Sequence, residues 1–309
     1  MKQLLNISLV VILSLATSSA QAQMNPVRSN YLLTSFMDHP GAAGNKQCLD
    51  LRLGHRNQWV GFPDAPTNSF LSLSGRLGES VRATQGIGVR VETDQAGAWG
   101  TTSASLAYSH KIKLSQGGWL SGGFSLGVSQ YSLNLDNLDI TATDPALGDQ
   151  TTQFIFPLVD AGFWYQDKRS FGGISLLNVT AGKLSAIAPE STTARTLVIT
   201  GGTSLELDGR YTFRPSTNIR YSPGLPASFE LSGAMVYDDL ASVGLGYRNQ
   251  SALIASFQLA LFNYMRIGYS YEFNISKINV VSRSSHEVVL TFSACDMKAT
   301  KVHQCPAYD

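Results

Sequence analysis

From Leu49 to its last strand the chain keeps a two-residue period, and it keeps its ionised side chains on one of the two faces which that period defines. Leu49, Leu51 and Leu53 alternate with Asp50 and Arg52, and Arg56 continues the charged side. Successive side chains of an extended strand point to opposite faces, so one face of this strand is apolar and the other charged. After the loop Asn57 to Thr67 (NQWVGFPDAPT), Leu71, Leu73 and Leu77 oppose Ser72, Ser74 and Arg76, which makes a two-strand hairpin. A soluble sheet can do this once or twice. Repetition to the end of the chain calls for an outer medium that rejects charge, since Arg or Lys on a lipid-facing strand position costs about 2 to 4 kcal/mol at mid-bilayer.

The repetition is there. Ile87, Val89 and Val91 oppose Arg90 and Glu92; Ala104, Leu106, Tyr108, Ile112 and Leu114 oppose Ser105, Ser109, Lys111 and Lys113; Leu120, Phe124, Leu126 and Val128 oppose Ser121, Ser125 and Ser129. Tyr131, Leu133 and Leu135 change phase, which predicts a bulge. Residues 136–157, rich in Asp and Thr, read as a large loop, followed by strands over about 158–166 and 171–182. An eighth strand alternates Leu197, Ile199 and Leu205 with Thr200, Ser204 and Glu206, and Asp208-Gly209 is a strong hairpin turn. The ninth sets Tyr211, Phe213, Ile219 and Tyr221 against Arg210, Arg214, Asn218 and Arg220, with Pro215 expected to demote or bulge it locally. Phe229, Leu231, Met235 and Tyr237 against Glu230 and Ser232, then Val243, Leu245 and Tyr247 against Arg248, then Leu253 to Leu261, form three more. The last two are Met265, Ile267, Tyr269, Tyr271 and Phe273 against Arg266, Ser270 and Glu272, and Val288, Leu290 and Phe292 against Glu287, Thr291 and Ser293.

Fourteen strands result, joined alternately by short turns and by a set of connections that includes the long ones. Outer-membrane barrels have an even strand number, short periplasmic turns and longer outside loops. The fold class expected is therefore an all-β transmembrane antiparallel barrel with both termini periplasmic. A two-sheet sandwich also alternates, but rarely needs so many consecutive long strands; a closed sheet leaves no edge for lipid to desolvate.

Ahead of the barrel, Lys2, the apolar run Leu4 to Ala16 and the small residues Ala20 and Ala22 around Gln21 predict a secretory leader, residues 1–22, cleaved after Ala22. Gln23, not a cysteine, would then start the mature chain, which argues against a lipid anchor. No later run of about 18 apolar residues occurs, so membrane residence has to rest on strands. Residues 23–46 read as a periplasmic or plug segment, 47–295 as the barrel and 296–309 as a polar periplasmic tail. Charged residues are only 15%, against roughly 25% in soluble domains. Without Lys2 the 23 basic residues become 22, against 22 acidic, and nothing suggests a nucleic-acid partner. Of Cys48, Cys295 and Cys305, a Cys48–Cys295 bridge would staple the barrel seam, Cys295–Cys305 would close the tail, and three free thiols are the third possibility.

No catalytic constellation stands out. His39, His55, His110, His286 and His303 lack the nucleophile and oriented base that hydrolysis needs. Gly86-x-Gly88 lies within a strand and lacks the turn-to-helix setting of a phosphate loop. No metal or cofactor is implied. The inward charges Arg52, Arg90, Glu92, Arg214, Arg220, Arg266, Glu272 and Glu287 read as a lumen filled by paired groups, with a mildly anion-preferring pore as the alternative.

Four stretches carry a family resemblance: Arg56-Asn57-Gln58-Trp59-Val60-Gly61-Phe62 followed by Ala65-Pro66, Phe213-Arg214-Pro215-Ser216, Arg266-Ile267-Gly268-Tyr269-Ser270-Tyr271 and Ser285-His286-Glu287-Val288. In order and spacing the chain resembles the PorP/SprF family of Bacteroidota outer-membrane proteins. It departs where the family tends to read Asn-Pro-Ala-Tyr-Ala-Gly, having His39-Pro40-Gly41-Ala42-Ala43-Gly44 instead. The resemblance implies a non-enzymatic barrel of the type IX secretion or gliding machinery in the cell outer membrane. Its partners would be outer-membrane lipid, the periplasmic ring and trans-envelope components, and an exported adhesin or other cargo. PorP-like and SprF-like roles both remain open. The rim segment with Arg56, Asn57, Gln58, Trp59, Phe62 and Pro66 is the expected contact for an exported protein, and the turns and tail for the machine.

Overall fold

A computed structural model describes residues 26–46, 48–78, 83–115, 117–134, 152–180 and 194–294. The expected leader and the tail after Ala294, with Cys295 and Cys305, lie outside the described residues, as do 135–151 and 181–193. The strands are β1 (Asp50–Asn57), β2 (Thr67–Leu77), β3 (Ala83–Ala96), β4 (Trp99–Lys113), β5 (Trp119–Leu133), β6 (Thr152–Gln166) and β7 (Ser170–Leu177). Next come β8 in two pieces (Thr196–Thr203 and Leu205–Asp208), β9 (Tyr211–Tyr221), β10 (Ser228–Tyr237) and β11 (Ala241–Arg248). The last three are β12 (Ala252–Phe262), β13 (Met265–Asn274) and β14 (Ser284–Ser293).

Each strand pairs antiparallel with the next, and β14 returns to β1 in unbroken register from Asp50 opposite Ser293 to Asn57 opposite His286. The sheet is thus a closed barrel of fourteen strands, which leaves no unpaired edge. In the described strands every Lys, Arg, Asp and Glu except Asp208, past the bulge at the turn end of β8, falls on the inward-facing set, while the outer surface is a field of exposed Leu, Val, Phe and Tyr side chains such as Leu106, Leu126, Leu245 and Phe273. The sequence pattern has this physical origin: one face meets hydrocarbon and the other does not. The connections 58–66 and 275–283, and the ends of β5 and β7 at Leu133 and Leu177, lie at one rim, the loop rim; the other, the turn rim, carries turns such as 167–169, 209–210 and 263–264.

Three local expectations are corrected. No bulge interrupts β5: its register with β4 and β6 is continuous to Leu133, and Tyr131 and Leu133 follow Ser125 and Ser129 on the inner face. The apolar residues there point into the lumen, where Tyr131 meets Phe156 edge-on at 5.7 Å. Strand β6 starts at Thr152, well before residue 158, because its first inward residues, Phe154 and Phe156, join the same aromatic group. Pro215 stays in register with Gly233 of β10. Its missing N–H shows on the other side, where the ladder with β8 stops between Phe213 and Ser216. There β8 is broken, and the Ser204 amide turns to the Arg169 carbonyl at 2.7 Å.

The lumen is occupied. Residues 26–46, with a single helical turn Ser35–Asp38 and a 3-10 turn Pro40–Ala42, run down the inside of the barrel from near the loop rim to the start of β1. Two apolar contacts seat them: Leu33 and Met37 with Phe70 and Val289, and Phe36, Ala42 and Ala43 with Ala107, Trp164 and Phe171. Glycines of the wall make room. A Cβ on Gly86 would lie 2.1 Å from the Ala43 carbonyl oxygen, and one on Gly123 would lie 2.5 Å from the Gly41 nitrogen.

Candidate functional site

The functional geometry has two parts, the network that holds residues 26–46 in the lumen and the loop rim above it. At the upper level, Arg56 of β1 grips Glu272 of β13 in bidentate fashion, both bonds 2.8 Å. Arg248 of β11 bridges the same Glu272 at 2.8 Å and Glu230 of β10 at 2.9 Å. The strap enters this network with its backbone: the amides of Ser29 and Asn30 donate to the two carboxylate oxygens of Glu287, each at 2.8 Å, while the Ser29 hydroxyl donates to Glu272. Charge-assisted and bidentate bonds of this kind are the strong ones. They also compensate ions that could not be buried alone.

One level down, Asp38 sits between two guanidinium groups, Arg28 at 3.0 Å and Arg220 of β9 at 2.9 Å, and Arg28 also reaches Glu92 of β3. Arg90 of β3 pairs with Asp160 of β6 at 2.5 Å, donates to the Met37 carbonyl at 2.8 Å and lies over the Phe36 ring at 5.7 Å. Lower still, His39 is wholly enclosed, at 0% exposure. Its Nδ1 meets the Ser175 hydroxyl and its Nε2 the Thr200 hydroxyl, both at 2.8 Å, and its ring lies 5.2 Å from that of Trp164. Thr200 spends its hydrogen on Asn218, so Nε2 is the donor to Thr200 and Nδ1 accepts from Ser175: a neutral imidazole used as a spacer. No substrate can reach this histidine–serine pair. At the turn rim Ser109 donates to the Ala43 carbonyl at 2.8 Å, Arg76 to the Asn45 carbonyl at 3.1 Å, and Lys111 to the Asn45 side chain.

At the loop rim, the β1–β2 and β13–β14 connections are tied into one surface. The Val60 amide donates to the Ser284 carbonyl at 2.9 Å, the Trp59 amide to the Ser285 hydroxyl at 3.1 Å, and the Ser282 hydroxyl to the Val60 carbonyl at 2.9 Å. This surface presents Phe62, 41% exposed, and Val280, 91% exposed.

The residues singled out from sequence separate accordingly. Arg90, Glu92, Arg220, Glu272 and Glu287 converge on the lumen strap, and Arg52 pairs with its neighbour Asp50 at 2.6 Å. Arg214 and Arg266 sit apart near the turn rim, bonded to the Asp239 carboxylate at 3.4 Å and carbonyl at 3.0 Å. Of the rim set, Gln58, Trp59, Phe62 and Pro66 lie in the β1–β2 connection, and the Gln58 amide closes it by donating to the Pro66 carbonyl at 2.9 Å. Arg56 is buried in the Glu272 network instead, and Asn57 faces outward beside His55. Cys48 is disulfide-bonded, and the two other cysteines lie outside the described residues. Among the described residues no group of three His, Cys, Asp or Glu side chains could hold a metal.

Sequence reasoning missed Arg28, Ser29, Asn30, Asp38 and His39, the strap's own contribution. Their signal was indirect: the inward Phe70, Trp164 and Phe171 spoil a polar face, which points to a further element inside.

Comparison with known proteins adds the following. The sequence profile of the family described as "Type IX secretion system membrane protein PorP/SprF" matches residues 20–292. A search of curated proteins returns no match. Among solved structures the chain is similar to the CymD monoaromatic hydrocarbon channel, at 14% identity and a TM-score of 0.48, over 86% of this chain and 94% of that one. It is similar to the Ralstonia pickettii toluene transporter TbuX at 11% identity and a TM-score of 0.49, over 84% and 93%. To the KdgM porin the values are 9%, 0.40, 80% and 99%.

Proposed function

The chain belongs to the PorP/SprF family of type IX secretion system membrane proteins, and from that premise we propose that it serves export as a plugged outer-membrane barrel. It supports secretion or surface attachment of exported proteins by binding machine components, and carries out no bond-making chemistry. The observation that carries this reading is the strap of residues 26–46, bonded to the wall at three levels through Glu287, Arg220 and Ser109. A lumen filled in this way supports a role exercised at surfaces over one exercised by a solute pore. In this reading the turn rim and the tail face the periplasm and the machine, and the loop rim with Trp59 and Phe62 faces outward to cargo, as short turns and long loops do in such barrels.

The test is recovery of type IX components and of exported protein with the chain as bait, in cells carrying a deletion after Ala294 or the double substitution Phe62→Ser and Val280→Ser. The deletion is expected to lose machine components and the double substitution to lose cargo. Unchanged recovery in both would overturn the surface reading. So would a large, steady conductance of the purified chain in planar bilayers, which would restore the porin alternative.

A further inference from the structure

We infer that the processed amino terminus leaves the barrel at the loop rim, on the opposite side of the membrane from the carboxyl-terminal tail. The sequence alone suggested that both ends share the periplasmic side; the inference departs from that while resting on the barrel orientation proposed above.

The course of the strap carries it. Arg28 bonds to Glu92, Phe36 packs where a Cβ on Gly88 would stand 2.5 Å from its ring, and the Ala43 carbonyl covers Gly86. These wall residues are inward positions of one strand, β3, with Arg90 between Glu92 and Gly88 holding the Met37 carbonyl, so the strap descends along it from residue 92 to 86 as its own numbering rises. Six residues of strand correspond to about 20 Å. The other walls agree. Ser29 and Asn30 are held by Glu287, whose register partner is Arg56, near the ends of β14 and β1 that feed the loop rim. Asn45 is held by Arg76 and Lys111, near the ends of β2 and β4 that feed the turn rim.

Pro26 and Val27, only half-buried where Arg28 to Asn45 are largely enclosed, therefore point out past the Glu287 level toward the tied loops of Trp59 and Ser284. Cleavage after Ala22 leaves Gln23, Met24 and Asn25 ahead of Pro26. Three residues reach about 10 Å at full extension. To return to the turn rim the free end would need about twice that, through a lumen the strap already fills. Ala294, by contrast, follows the end of β14 and donates to the Leu49 carbonyl at 2.9 Å, at the turn rim. The two ends therefore exit oppositely, and the amino end stands beside the rim proposed to meet cargo.

Labelling of whole cells with a membrane-impermeant maleimide, one cysteine being added at a time to the three native ones, tests this. Variants Val27→Cys, Pro26→Cys, Val280→Cys at the loop rim and Lys168→Cys at the turn rim are compared with the parent chain as baseline, folding being checked by heat-dependent gel migration. The expected result is that Val27→Cys and Pro26→Cys label with Val280→Cys on intact cells, while Lys168→Cys labels only after the outer membrane is opened. If Val280→Cys and Lys168→Cys separate but both amino-terminal variants follow Lys168→Cys, or stay unlabelled in every folded sample, this inference is overturned and the orientation stands. If Val280→Cys and Lys168→Cys do not separate, or separate the other way round, the orientation reading fails and this inference with it.

Discussion

Asp38 and Arg220, 182 positions apart in the chain, meet at 2.9 Å in the middle of the barrel, and Arg28 closes on the same carboxylate at 3.0 Å. This triad joins the strap to β9. Asp38→Asn removes the charge and leaves two buried guanidinium groups competing for one amide. Breaking one partner of a buried pair typically costs about 3 to 5 kcal/mol, so the strap should loosen. The expected outcome is a lower unfolding midpoint in denaturant, with the closed sheet retained by circular dichroism. Adding Arg220→Met to Asp38→Asn should recover part of the loss.

Gly86→Val tests seating by shape rather than by charge. Its Cβ would fall 2.1 Å from the Ala43 carbonyl oxygen, a backbone atom that cannot step aside within an intact strap. The wall gives more easily than the strap there: that Cβ would also lie 2.6 Å from the Ser109 hydroxyl, but this is the end of a side chain that can turn away, and valine suits a strand. The barrel should therefore assemble with its strap displaced, and planar-bilayer recordings should show conductance above that of the unsubstituted chain. Silence equal to the parent would mean that the lumen is closed by other means.

On the outer face, Leu245 stands 72% exposed in the middle of β11, between Gly233 and Ala255. Leu245→Arg should destabilise the barrel in lipid vesicles by about 2 to 4 kcal/mol, read from a reversible denaturant titration. Inward Ser242→Arg on the same strand would fail differently, by overfilling the lumen. The two should be told apart by adding detergents of varied chain length, which alter only the first.

The turn 167–169 offers a pH test away from the membrane. Burial disfavours the Asp167 carboxylate, but bonds from the Tyr165 hydroxyl and from the Arg169 and Ser170 amides, all 2.7 Å, together outweigh that and hold its pKa below the ordinary value. A depressed carboxylate contributes stability that is present above its unfolded pKa and lost as pH falls through the folded one. Protection of the Arg169 and Ser170 amides, measured against intrinsic exchange at each pH, should hold through neutral pH and fall in acid below the usual aspartate range. In Asp167→Asn that acid step should vanish.

How far the sequence could be read follows from where each constraint comes from. Lipid imposes its rule on every second residue, so Leu71, Val89 or Ile267 reveal their face from neighbours two positions away. The strap obeys no such local rule. Its code lies between distant segments, in Phe36 against Gly88 and Ser29 against Glu287, and a single chain shows no period for contacts of that kind. The same gap explains the misread end of β5. Tyr131 and Leu133 mimic a change of phase as long as every apolar residue of a strand is placed outward, whereas the interior near the loop rim is itself partly aromatic. Charge matching was legible in kind but not in partner: Arg220 was placed inside, yet its acid belongs to no strand.

Residues translated among the first are enclosed by those translated last. Asn30 is fastened by Glu287, which belongs to the final strand, and that strand also forms the seam with β1. Closing the hoop therefore also completes the hold on its contents. A strap already laid along β3 when β14 docks gains its Glu287 bonds in the same step that pairs the seam. One that arrives later finds the seam paired and leaves the Glu287 carboxylate without those two amides until it does.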